Sequence, residues 1–280
     1  MLCFGSGPMF IIWSLNNFTA MSSGSGRIIV AGFVSVLFCY ITGNNLPREK
    51  NIWFYCIFFG LFSLGLPFLL IPLSLRFIST SELAIYLSSI PLFVLLLARI
   101  FLKEKITKQK WLGFIIGIFG LIILSDPYSF SIQNSNELLA SILCIIISIC
   151  LASGGIVLQK MPKYNSISFS AGTFFIATLL AIPVFLFSYP NSHPSLESSL
   201  SIVFVGVVST FLGGLCRILL VKRAGAVFTS INGYLVPLVT CSLGIIFLNE
   251  TLDVNTVLSF LIVITGVLIS QDLHNKFLKL

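Results

Sequence analysis

The sequence predicts an all-α membrane protein of ten transmembrane helices, built as two inverted five-helix repeats. Three observations predict it: the composition, the placement of Lys and Arg, and an internal repeat. Of the 280 residues, 57% are hydrophobic and 9% charged, with a mean hydropathy of +1.06. A soluble domain carries about 25% charged residues. So few charges cannot cover a surface facing water, so lipid must cover most of the exterior.

About 20 mainly apolar residues cross the hydrocarbon core, and they must be helical because lipid cannot satisfy free backbone groups. The chain offers ten such stretches, near 2–20, 26–43, 52–75, 80–101, 109–125, 138–159, 168–188, 199–221, 226–248 and 255–271. The first lacks the basic start of a signal peptide and reads as a helix, although Gly5, Gly7 and Pro8 weaken it. The Ser/Gly-rich stretch after it reads as a connection. Other connections are short and charged, as in Asn44–Lys50 and Lys103–Lys105.

With the N-terminus inside, the inner segments hold 13 of the 16 basic residues: Arg48, Lys50, Arg99, Lys103, Lys105, Lys108, Lys110, Lys160, Lys163, Lys222, Arg223, Lys276 and Lys279. The outer segments hold Arg27 and Arg76, and Arg217 lies within a helix. This asymmetry follows the positive-inside rule and places both termini in the cytoplasm. It also accounts for the net charge of +7 without nucleic acid as a partner.

The third observation is the repeat. At a constant offset of 146, Pro91 falls on Pro237, Phe101-Leu102 on Phe247-Leu248, Glu104 on Glu250 and Gly120 on Gly266. Further upstream, Gly60 meets Gly206 and Ser63 meets Ser209. An odd number of helices per half makes the second half inverted relative to the first. The halves are 1–126 and 137–272, followed by a cytoplasmic tail at 273–280. Inverted repeats recur in secondary transporters, with the substrate site between halves near the midplane.

The repeated motifs also resemble the EamA family of the drug/metabolite transporter superfamily. That pattern is a Pro, a hydrophobic stretch, Leu-Gly-Glu, then a helix with periodic Gly. It is matched here by Pro91 with Phe101-Leu102-Lys103-Glu104, Gly113 and Gly120, and by Pro237 with Phe247-Leu248-Asn249-Glu250 and Gly266. Trp13-Ser14-Leu15-Asn16 is similar to the family's first-helix Trp-Gly-Ser-Asn. Ser14, Lys103 and Asn249 stand where the family usually has glycine, which puts the shared loop geometry in question. The resemblance implies ten helices, cytoplasmic termini and movement of amino acids or other metabolites across an inner membrane.

Polar groups on apolar helices turn inward, so several side chains are cavity candidates. Glu82, Tyr86 and Ser89 share a face of the fourth helix, and Thr229 and Asn232 form a shorter stripe on the ninth. Trp13 and Asn16 offer stacking and an amide, and Gln159 lies near a helix end. Arg217 reads as the most deeply placed base, either snorkelling to the interface or holding a substrate anion. Pro91 and Pro237 would break or kink their helices, either as gating points or as packing kinks. Glu104 and Glu250 read as structural carboxylates favouring the N-terminus of the following helix, with gating as the alternative. Gly154 and Gly155 would let the sixth helix approach a neighbour.

The expected function is therefore export or facilitated exchange of small polar metabolites such as amino acids. The alternative is uptake of a nucleotide-like or S-adenosylmethionine-type solute. No cofactor or metal site is expected: the seven cysteines lie in apolar stretches without CxxC spacing. The chain does not read as an enzyme, because the spans carry no catalytic constellation, nor as an adaptor, because no long loop is left over. Its expected partners are a small-molecule substrate and the bilayer, as monomer or homodimer.

Overall fold

The computed structural model describes residues 1–125, 135–191, 193–220 and 232–270, with the side chains of 135 and 232–234 excepted. Lys222, Arg223, Thr229, Lys276, Lys279 and the tail at 273–280 lie outside the described residues, as does the side chain of Asn232. Every regular element among the described residues is a helix. The helices are α1 (Leu2–Ser14), α2 (Ala20–Ile41), α3 (Lys50–Ser74), α4 (Thr80–Phe101), α5 (Lys108–Leu124), α6 (Ser135–Lys160), α7 (Ser166–Ser188), α8 (Leu196–Leu220), α9 (Asn232–Leu248) and α10 (Val254–Ser270). Six of them, α2, α3, α4, α6, α7 and α8, are long and apolar enough to cross a membrane; the others are shorter. Together they form a multi-pass membrane protein.

Two boundaries differ from the sequence reading. Helix α1 ends at Ser14 rather than near 20, and α2 begins at Ala20 rather than 26. The reason is local. Thr19 is the N-cap and accepts from the Ser22 amide at 3.1 Å, satisfying one of the amides a helix start leaves free. The serines that suggested a connection are buried in the first turns of α2. Their hydroxyls are satisfied by protein groups: Ser25 Oγ donates to the Met21 carbonyl at 2.6 Å, Ser22 Oγ to the Thr19 carbonyl at 3.1 Å, and Ser23 pairs with Ser14 of α1, so they need no water.

The 146-residue offset recurs in local structure. N-caps pair as Thr19 with Asn165, and as Thr107 with Asp253. The Thr256 hydroxyl and amide hold the Asp253 carboxyl below its ordinary value. Phe59–Gly65 in α3 and Val205–Leu212 in α8 are both π-helical. Lys103 and Asn249 both adopt a left-handed conformation, at φ of 57° and 53°. In both loops the glutamate amide donates six residues back, Glu104 to Ala98 at 3.4 Å and Glu250 to Gly244 at 3.2 Å. The loop geometry that the missing glycines put in question is thus adopted by both copies. Glycine takes this conformation at less cost than lysine or asparagine. Lys103→Gly should therefore raise the thermal midpoint slightly, by a stabilisation of about 0.5–1 kcal/mol; an unchanged or lower midpoint in purified protein would count against it.

Two of the crossings between the halves are the most extensive. Helix α5 meets α10 backbone to backbone: a Cβ on Gly113 would lie 2.5 Å from the Gly266 carbonyl oxygen, and one on Gly266 would lie 2.7 Å from that of Gly113. Helix α2 meets α7, where Gly32 lies against Thr178 and 3.3 Å separates its Cβ position from the Phe174 carbonyl. Small residues permit such approaches, which apolar lipid would not otherwise drive. Gly154 serves α6 likewise, against Ser63 of α3. Gly155 does not, since its nearest neighbour is 3.8 Å from a Cβ.

Contacts between helix ends fix two poles. At one pole the end of α1 meets the start of α8, where Asn17 Oδ1 accepts from Ser195 Oγ at 2.7 Å and Ser198 Oγ at 2.9 Å. There too Thr19 donates to the Ser188 carbonyl at 3.0 Å. At the other pole Asn165 donates to Asn44 at 2.7 Å, and Tyr55 to the Lys160 carbonyl at 3.3 Å. Arg48, Lys50, Arg99, Lys103, Lys105, Lys108, Lys110, Lys160 and Lys163 belong to the second pole by their positions along the helices. Arg76 belongs to the first.

Candidate functional site

The site begins with a residue that the sequence counts with the outer segments, at the very start of the span 26–43. Arg27 is 4% exposed. Because α2 starts at Ala20, Arg27 lies seven residues inside it, about 10 Å from the helix end at 1.5 Å per residue. The Ser/Gly-rich stretch reads as a loop by composition, whereas it forms the first turns of α2 and so carries Arg27 deeper. Arg27, not Arg217, is the more deeply buried of these two arginines: Arg217 is half-buried.

Three helices converge on the guanidinium. Arg27 Nε donates to Thr210 Oγ1 of α8 at 3.1 Å. The guanidinium carbon sits 4.2 Å from the centre of the Phe68 ring of α3. Nη1 is buried without a hydrogen-bond partner, and Arg27 makes no ion pair among the described residues. Thr210 lies in the π-helical part of α8, a form of helix that recurs at functional sites. A Cβ on Gly206 would lie 3.0 Å from the Arg27 carbonyl, so this close packing is what brings α8 onto α2.

The energetics of this arrangement are unbalanced. Arginine stays protonated, and withdrawing an ion from water costs several kcal/mol even after relaxation. A cation–π contact returns about 2 kcal/mol when desolvated, and a hydrogen bond to a charged group about 1.5–3 kcal/mol. Charges in membrane interiors normally pair with one another or face a water-filled path.

The other candidates fall into three groups. Glu82 is committed to a capping box: Oε2 accepts from the Ser79 amide at 2.7 Å and the Ser79 hydroxyl at 2.9 Å. It therefore holds the start of α4. Tyr86 and Ser89 are buried in the same helix. The Tyr86 hydroxyl lies beside Ser141 of α6 without a hydrogen bond of ordinary geometry. Ser89 Oγ donates to the Tyr86 carbonyl at 2.6 Å, and so does Ser148 Oγ at 3.1 Å. These bonds occupy a carbonyl just where the helix is interrupted, at Ser89 before Pro91. The repeat partner Pro237 lies inside an uninterrupted stretch of α9. Trp13 stacks edge-on against Phe10 at 5.0 Å, and its carbonyl accepts from Ser198. Asn16 and Gln159 are exposed.

Glu250 differs from the reading in one respect. It does cap a helix, but α4 rather than the following α10. Its carboxylate accepts from the Thr80 amide at 2.7 Å, the Ser81 amide at 3.2 Å and the Ser81 hydroxyl at 2.6 Å. One half of the chain thus closes onto the other at the first pole, about two turns beyond Arg27. Glu104 is exposed, and its carbonyl accepts from Arg99 at 3.2 Å.

Comparison with known proteins decides the family. The model of the EamA-like transporter family matches residues 1–126 and again 138–270. The chain belongs to the EamA-like transporter family. Among similar proteins is an uncharacterized transporter of Archaeoglobus fulgidus, 30% identical over 75% of this chain and 74% of that protein. The uncharacterized transporter YdfC of Bacillus subtilis is 24% identical over 91% of this chain and 82% of its own length. Protein PecM of Dickeya dadantii is 22% identical, over 88% and 81% respectively. A solved crystal structure at 13% identity shares the fold, with a TM-score of 0.70 over 97% of this chain and 95% of that one. This EamA chain is accordingly a membrane transporter by family, and the names of its relatives point to transport rather than catalysis.

Proposed function

We propose that the chain is a secondary transporter in which ten helices cross an inner membrane as two inverted five-helix halves, with both termini in the cytoplasm. It exports or exchanges small polar metabolites, amino acids foremost. The observation that carries this reading is the repeated local geometry at one offset, from the paired N-caps to the paired left-handed loops. Two copies of one structural unit, joined at α5–α10 and α2–α7, can rock about those crossings. Such motion exposes a site between the halves to each side in turn. The pole rich in Lys and Arg faces the cytoplasm, because basic residues are retained on that side. The pole sealed by Glu250 then faces outward. A nucleotide-like solute is the second reading, supported by Trp13 and Phe10 as a stacking pair near that pole.

Proteoliposomes holding the purified chain should exchange at least one labelled amino acid or nucleoside-type metabolite. Folded protein with no flux across a broad metabolite panel would refute the transport reading. Orientation is checked separately: a membrane-impermeant thiol reagent should label His193→Cys from outside intact cells and spare Lys163→Cys. The reverse pattern would invert the topology.

A further inference from the structure

We infer that Arg27, with Thr210 and Phe68, is the point at which this chain binds an oxyanion, a carboxylate or a phosphate, on the solute it carries. The inference rests on the transport reading and deepens it by naming a substrate class.

Three observations support it. First, no counter-ion faces Arg27 among the described residues. Arg27 is 4% exposed and its Nη1 has no partner. Arginine cannot escape by losing its proton. One hydroxyl and one ring leave the guanidinium with unused donors, whose planar fork matches the two oxygens of a carboxylate or phosphate.

Second, the constellation is missing from the other half. At the 146 offset Arg27, Phe68 and Thr210 fall on Thr173, Gly214 and Leu64. Thr173 spends its hydroxyl on the Ser170 carbonyl at 2.8 Å. The backbone packing is nevertheless the same in both halves. A Cβ on Gly206 would meet the Arg27 carbonyl, and one on Gly60 would lie 2.6 Å from the carbonyl of Thr173. A buried cation is therefore not needed to make this helix crossing, since the other half makes it with threonine.

Third, the position suits a path between the halves. Arg27 lies where α2 and α3 of the first half meet α8 of the second. Movement of α8 away from α2 and α3 would expose the guanidinium to a solute, with Phe68 as an apolar wall and Thr210 as a second donor.

The test measures binding and stability before transport. The purified chain in detergent is titrated with succinate, with inorganic phosphate and with choline, and its thermal midpoint is followed. Succinate or phosphate should raise the midpoint and choline should not; whichever anion acts identifies the class. Arg27→Lys should weaken the response at least tenfold, because a point charge replaces the fork. Arg27→Gln should abolish it while leaving the midpoint without ligand unchanged or higher, since an uncompensated charge has been removed. Wild type that is stabilised by neither anion would overturn the inference. So would an Arg27→Gln variant that responds normally, or one that is strongly destabilised without ligand while Arg27→Lys binds like wild type. Proteoliposomes separate this outcome from the transport reading. Flux of neutral solutes that is indifferent to Arg27→Lys refutes the oxyanion site alone. An Arg27-dependent anion response without any flux refutes transport alone.

Discussion

Gly266→Leu should destabilise the protein by about 3 kcal/mol or more, the upper range for overpacking a tight interior contact. A Cβ at this position would lie 2.7 Å from the Gly113 carbonyl oxygen, with further backbone of Gly117 beside it. Neither neighbour is a side chain that could rotate away, so the α5–α10 crossing would have to separate. Thermal unfolding in detergent should show a large fall in midpoint, and size-exclusion chromatography should show aggregation. Gly155→Ala is the control. Its nearest neighbour is 3.8 Å away, and alanine favours the helix by about 0.5–1 kcal/mol. A Gly266→Leu protein as stable as wild type would mean that the two helices are not in contact there.

Glu250→Ala should cost about 3 kcal/mol. The carboxylate accepts three hydrogen bonds from Thr80 and Ser81, two residues that are almost fully buried. Hydrogen bonds to a charged acceptor are worth about 1.5–3 kcal/mol each before losses overlap, and the deserted amides sit out of water. Glu250→Gln should recover part of this, because its amide oxygen still accepts. Glu104→Ala, at the repeat-related but exposed position, should change the midpoint by less than about 0.5 kcal/mol. Hydrogen exchange offers a local readout: the Thr80 and Ser81 amides should lose protection in Glu250→Ala while the α5 amides keep theirs. Uniform loss of protection, or none, would show that Glu250 does not pin α4.

Much of the helix plan was legible because its signals are local. Apolar length marked the helices, and charged connections separated most of them. The error around residues 15–26 arose because Ser and Gly mark both loops and closely packed helix starts. The repeat held the corrective: Thr19 is related to Asn165, Ser22 to Ser168 and Gly26 to Gly172. Carrying the offset upstream from 168 moves the start of α2 from 26 to 22, four residues earlier, and sets Arg27 deeper inside it. The π-helical segments had a weaker trace in the Gly60/Gly206 and Ser63/Ser209 pairs.

The site residues divide along the same line. Glu82 begins a polar stripe in sequence, but the Ser79 hydroxyl three residues before it was the local signal of a capping box. Glu250 was readable as a helix-capping carboxylate, and its target was not. Thr80 lies 170 residues away, and only the packing of α9 against α4 brings them together. Arg27 gained its meaning in the same way, from Phe68 and Thr210 on two other helices.

By itself, the sequence determined the helical class, the segregation of basic residues and the repeat at 146, because length, charge and periodicity are properties of one segment at a time. The tertiary structure decided which half closes on which, that Arg27 is buried without a counter-ion among the described residues, and that Lys103 and Asn249 take the turn glycine would favour. Burial and pairing depend on atoms far apart in the chain, and no local pattern carries that distance.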